Sequence, residues 1–111
     1  MTTAATRSDG PAESPLAEPL TLPCGATLPN RLAKAAMTEG LATADGIATD
    51  ALCRLYRTWA EGGAGLLITG NVIVDRDHLE RPGNVVIDGA RGEAQQAALA
   101  RWAAAATSAG N

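Results

Sequence analysis

Thr49-Asp50-Ala51-Leu52-Cys53-Arg54-Leu55-Tyr56-Arg57-Thr58-Trp59-Ala60-Glu61-Gly62-Gly63-Ala64-Gly65-Leu66-Leu67-Ile68-Thr69-Gly70 holds a helix, its stop and a strand in one run. Thr49 is suited to cap the first turn, and Asp50 sits against the positive end of the helix dipole. Leu52, Leu55, Tyr56, Trp59 and Ala60 then recur at the offsets of one helical stripe, and Arg54, Arg57 and Glu61 fall off it. Gly62-Gly63 ends the helix, because glycine accepts the left-handed conformation that a C-terminal cap requires. Leu66–Thr69, an apolar run between glycines, reads as a strand buried on both faces, as in a parallel sheet.

Upstream, Leu20–Leu28 alternates around Pro23 and Gly25 and predicts a small hairpin with Cys24-Gly25 near its turn. Asn30-Arg31 leads into Leu32–Ala36. Its residues (Leu, Ala, Lys, Ala, Ala) favour helix, so propensity alone assigns no strand there. Glu39–Ala48 is a loop holding the turn pair Asp45-Gly46. Downstream, Val72–Val74 is expected to extend the strand past Gly70-Asn71. Asp75–Gly83 is a charged loop, and Asn84–Asp88 is a short strand or extended segment. Arg91–Ala109 is an alanine-dominated second helix with a narrow face of Leu99, Trp102, Ala103 and Ala106, stopped by Gly110. Strands alternating with helices of this length imply a parallel α/β sheet.

The totals narrow the functional classes. The 111 residues make at most one small domain, and a formal net charge of -3 argues against a nucleic-acid footprint. Cys24 and Cys53 form no C-x-x-C pair, and a single histidine, His78, rules out a histidine-rich metal cluster. His78 lies among Asp75, Arg76, Asp77, Glu80 and Arg81 and reads as a solvated loop residue. No metal ligands are assigned. No stretch is long and apolar enough to span a bilayer, and Met1–Ala17 lacks the apolar core of a secretory signal. A soluble, cytoplasmic protein is expected, with residues 1–19 a flexible tail and 20–111 the structured part.

Three α/β architectures compete. A doubly wound dinucleotide fold needs G-x-G-x-x-G after its first strand, where this chain has Met37-Thr38-Glu39-Gly40. A Walker-type phosphate loop is absent, and Gly62-Gly63-Ala64-Gly65 precedes a strand instead of opening a helix. A (β/α)8 barrel asks for neither motif and places its site at the C-terminal ends of its strands, where Met37-Thr38 and Gly70-Asn71 fall.

The order and spacing of Asn30-Arg31, Met37-Thr38, Trp59-Ala60-Glu61-Gly62-Gly63-Ala64-Gly65 and Leu66-Leu67-Ile68-Thr69-Gly70 resemble the opening of the Old Yellow Enzyme family, the NADH:flavin oxidoreductases or ene reductases. The resemblance covers Leu20–Asn111 and implies a partial (β/α)8 TIM barrel: an N-terminal hairpin plus the first two βα units, about a quarter of the eight, with Leu32–Ala36 as the first strand. It implies FMN as cofactor and NAD(P)H as reductant, with an unsaturated carbonyl compound as small-molecule substrate. It carries FMN contacts onto Ala35, Ala36, Met37, Thr38 and Gly70. Small side chains at Ala35-Ala36 would admit a flat apolar ring, and the Thr38 hydroxyl would donate to the ring edge and tune its potential. A larger side chain at Gly70 would collide with the cofactor. The family often has proline where Ala36 stands, so the loop is freer here. The family's activating His pair (or His and Asn), its proton-donating Tyr and its later FMN-binding Gln and Arg match nothing up to Asn111, so no catalytic residue is assigned.

Plainer readings stand beside these. Ala35, Ala36 and Met37 also suit a strand core, Thr38 a turn, and Gly70 a bulge. Cys24 and Cys53 suit small apolar fillers, and Trp59 and Trp102 suit the core. The leading expectation is an FMN-dependent NAD(P)H oxidoreductase present as a fragment inactive alone. The rivals are another flavin- or phosphate-binding barrel, and a non-catalytic relic or interaction module that self-associates through unpaired edges or needs a complementing partner.

Overall fold

The computed structural model describes residues 14–111; most of the expected tail lies outside them. Residues 14–19, expected at the end of that tail, are tied to the body. Pro15–Ala17 form a 3-10 turn, and the Ser14 hydroxyl accepts from Leu16 N at 3.2 Å. Arg31 donates from its backbone N to Leu16 O at 2.8 Å and from Nη2 to Pro19 O at 3.1 Å.

The hairpin forms as the turn residues dictate. β1 (Leu20–Thr21) pairs antiparallel with β2 (Thr27–Leu28), Leu20 opposite Leu28. Gly25 closes the turn at φ +95, which a side chain would resist. Cys24 is exposed there, so only Cys53 is the buried filler expected of both.

β3 (Ala33–Lys34) and β4 (Leu66–Leu67) form a parallel pair in register Ala33–Leu66 and Lys34–Leu67. Hydrogen bonds from Gly65 N to Leu32 O (2.9 Å) and Ile68 N to Lys34 O (3.1 Å) prolong the ladder. Tertiary pairing thus overrides the helical propensity of Leu32–Ala36. Lys34 packs on the helix side, its Nζ 4.6 Å from the Trp59 ring centroid, and Leu67 packs against the core on that same side. Alternation sends Ala33 and Leu66 to the opposite face. That face is open: Leu66 is 37% and Ile68 45% exposed, so β4 is covered on one face and not on both as expected.

α1 (Asp50–Glu61) begins with Thr49 Oγ1 accepting from Leu52 N and ends with Gly63 at φ +105. Its buried face is Leu52, Cys53, Tyr56 and Ala60; Leu55 and Trp59 of the expected stripe are half-buried. α2 (Gly92–Ala106) is shorter than the expected Arg91–Ala109 and is rotated from the expected face. Gln95, Ala98, Trp102 and Ala105 are buried, Leu99 and Ala106 only partly, and Ala103 is exposed. The reason is polar. Gln95 Nε2 donates to Gly46 O and Val86 O, both at 2.7 Å, and in a run of alanines that anchor outweighs small differences in apolar area. Tyr56 sits edge-on to both indoles, 5.1 Å from Trp59 and 5.3 Å from Trp102, and joins the two helices. Such pairs add about 0.5–1.5 kcal/mol beyond area burial.

Val72–Val74 do not prolong β4. β5 (Val72–Ile73) pairs in parallel with β6 (Val85–Val86) in a separate ribbon, and Val74 is 79% exposed. That ribbon is stitched to the loop after β3 by Val86 N to Gly46 O (3.0 Å) and Ala42 N to Gly83 O (2.9 Å).

Candidate site at the ends of the parallel strands

Two devices fix where β3 and β4 end. At the N-terminal side, Asn30 bridges the loop between α1 and β4. Its Nδ2 donates to Gly63 O at 2.7 Å, and its Oδ1 accepts from Gly65 N at 2.9 Å and Leu32 N at 3.0 Å. A Cβ on Gly65 would lie 2.7 Å from that oxygen, so Asn30 and the Gly62–Gly65 turn form one unit.

At the C-terminal side, Met37 and Gly70 lie side by side. A Cβ on Gly70 would stand 2.1 Å from Met37 O and 2.6 Å from Glu39 Oε1. Gly70 is buried, and a side chain there would collide with the chain's own backbone. The Tyr56 hydroxyl donates to Glu39 Oε2, and Gly70 N donates to both that oxygen (3.2 Å) and Tyr56 Oη (3.3 Å). Burial, then the hydrogen bond and charge of Glu39, push the Tyr56 phenol well above its usual range, and the Gly70 amide offsets part of this.

Ala35, Ala36 and Met37 are exposed along this rim, and Thr38 is half-buried. Three small or flexible apolar side chains on open backbone fit one face of a flat ring. The Thr38 hydroxyl has neighbours already: Oγ1 donates toward Asn71 Oδ1 at 3.0 Å and Glu80 Oε1 at 3.3 Å. Its single proton serves one of these two acceptors at a time. Glu80 is held below the usual carboxylate range first by Arg81 and further by Asn84 and Thr38.

His78 stands apart on the charged loop, its Nδ1 2.8 Å from Asp75 Oδ2, with the ring largely in solvent. Arg76 forms a two-point pair with Asp88 (3.0 and 3.1 Å) and also donates to Asp45 O, bracing the ribbon against the loop after β3. Among the described residues no group of three or more His, Cys, Asp or Glu is placed to hold a metal, and no helix is long and apolar enough to cross a membrane. Sequence reasoning missed the Glu39–Tyr56 pair. Tyr56 reads as one more core residue of a stripe, and only the pairing of strand ends reveals its hydroxyl's partner.

The decisive comparison is with an NADH-dependent flavin oxidoreductase of Hypocrea jecorina (iliE), 43% identical over 86 residues, 77% of this chain. The chain belongs to the Old Yellow Enzyme family. An NADH-dependent flavin oxidoreductase of Talaromyces variabilis (iccE) is 48% identical over 68 residues. The Old Yellow Enzyme homologue of Zymomonas mobilis superposes over 88% of this chain with a TM-score of 0.73 and 26% identity. Morphinone reductase, at 24% identity and a TM-score of 0.73, shares the fold. No protein-family model matches the chain. It spans 21% of the Hypocrea relative and 26% of the Zymomonas structure, so the elements here correspond to part of a (β/α)8 barrel.

Proposed function

We propose that this chain supplies the FMN-facing rim of an NAD(P)H-dependent ene reductase acting on α,β-unsaturated carbonyl compounds. The observation that carries the reading is the adjacency of Met37 and Gly70 at the ends of two parallel strands, the edge where barrels of this kind build their sites. When bound, FMN supplies hydride transfer from the nicotinamide to an electron-poor alkene. The chain's own part is to bind and orient. Ala35, Ala36 and Met37 lie against the ring and exclude water from it, and the Thr38 oxygen meets its polar edge. Gly70 packs directly against the Met37 carbonyl and keeps the end of β4 beside the rim. Two of eight units do not enclose a flavin, so the 111 residues alone hold none and turn nothing over.

The test is a chimera in which residues 20–111 replace the corresponding segment of the Zymomonas enzyme. Soluble protein that oxidises NADH or NADPH in the presence of a cyclic enone supports the reading; folded protein with no such turnover contradicts it.

A second reading rests on the open face. Leu66, Ile68 and Met37 are exposed, and among the described residues the β3–β4 sheet has no further strand, which suits a non-catalytic module that self-associates or takes a complementing partner. Sedimentation of the 111-residue chain separates the two: a stable dimer of defined mass favours the module, a monomer the rim of a barrel.

A further inference from the structure

We propose that Glu39 and Tyr56 are positioning residues that lock the Met37–Thr38 rim onto Gly70, so that a helix side chain sets the distance between two strand ends. The functional meaning of this lock rests on the flavin reading above; its geometry does not.

Three segments far apart in sequence meet here. Glu39 follows β3, Tyr56 lies midway along α1, and Gly70 follows β4. One carboxylate oxygen, Glu39 Oε2, accepts from both the Tyr56 hydroxyl and the Gly70 amide. The amide is shared with Tyr56 Oη at 3.3 Å, which closes a three-membered ring of hydrogen bonds. The other oxygen, Oε1, lies over the Gly70 Cα, where a Cβ would come within 2.6 Å of it. Glycine at 70 is therefore required by the lock itself. Tyr56 cannot drift, because it is fully buried and wedged edge-on between Trp59 and Trp102. The lock thus passes the rigidity of the helix pair to the rim. A ring-binding surface needs that, because sub-ångström looseness at such a surface weakens both binding and chemistry.

The ring of bonds also fixes the direction of each proton. Glu39 as a carboxylate only accepts, Gly70 N–H only donates, and Tyr56 Oη does both. Replacing Tyr56 by phenylalanine keeps the aromatic packing and removes one member of the ring. Replacing Glu39 by glutamine keeps the size and removes the charge.

The test uses the full chain. Tyr56 is its single tyrosine, so near-ultraviolet tyrosinate absorbance reads this phenol alone. The phenol is expected to stay un-ionised past its ordinary value of about 10 and to titrate at lower pH in Glu39→Gln. Amide exchange followed by NMR is expected to run at least about tenfold faster at Gly70 in Tyr56→Phe, with the α1 amides unchanged. A parent phenol that titrates at its ordinary value, or a Gly70 amide indifferent to both substitutions, overturns the lock. In the chimera, Tyr56→Phe is expected to release FMN about tenfold more readily than the unsubstituted chimera; equal retention overturns the positioning role. A colourless unsubstituted chimera counts against the flavin reading alone, since titration and exchange are read without cofactor.

Discussion

Gly70→Ala separates two reasons for a small residue after β4. If the residue is small to make room for a cofactor, alanine leaves the free chain untouched. The geometry says otherwise. The new methyl would stand 2.1 Å from Met37 O, 2.6 Å from Glu39 Oε1 and 2.9 Å from Met37 C. Ordinary contact begins near 3.4 Å, so the strand ends must part by about an ångström, and the Gly70 amide must leave Glu39 and Tyr56 Oη. Overpacking of this kind costs about 1–3 kcal/mol, and the stretched hydrogen bonds add to it. For a domain of this size each kcal/mol lowers the melting temperature by about 4–8 °C. A drop of at least about 5 °C is therefore expected for Gly70→Ala in cofactor-free protein, read by far-ultraviolet circular dichroism. Gly62→Ala is the control. Gly62 has an ordinary helical φ of -72 and its nearest foreign atom 3.2 Å away, so its melting temperature is expected to move far less. Equal melting of Gly70→Ala and the parent would refute the close approach of the two strand ends.

Other outcomes follow from the same contacts. Gln95→Ala removes two buried donors, to Gly46 O and Val86 O, and is expected to cost about 1–3 kcal/mol in urea unfolding. Asn30→Ala breaks three hydrogen bonds, two of them to the loop before β4 and one to Leu32 N; a loss of about 1–3 kcal/mol is expected, with the α1 helix signal retained longest on heating. The Arg76 guanidinium, followed by the Ala90 amide, holds Asp88 below its usual carboxylate value. A depressed folded value means that the pair's contribution is present above the unfolded value and fades as pH falls through the folded one. Acid titration of stability should therefore be shallower in Asp88→Asn than in the parent below about pH 4; identical acid profiles would show that the pair contributes nothing.

Much of the fold was legible in the sequence because its signals are local. Thr49, Asp50 and the Gly62-Gly63 stop mark α1 at both ends, and Gly25 marks the hairpin turn. β3 was legible only through family resemblance, since Ala-Lys-Ala-Ala takes its strand conformation from β4 and not from its own preference. The ribbon of β5 and β6 was not legible as a separate pair, because a short valine-isoleucine run gives no sign of its partner. The face of α2 is not legible for a related reason: among alanines, periodicity is weak, and the deciding residue is the polar Gln95. At the rim, Met37 and Gly70 were legible as strand ends, whereas Glu39 and the Tyr56 hydroxyl meet only once three distant segments are packed.

The central claim, that Ala35–Thr38 lie against a flavin ring beside Gly70, is tested most directly by the visible spectrum of the purified chimera and of its Ala36→Trp variant. A yellow chimera with near-stoichiometric FMN, together with a folded but colourless Ala36→Trp variant, is the predicted result, because a bulky side chain on that rim fills the space of the ring. Equal flavin content in both proteins would contradict it.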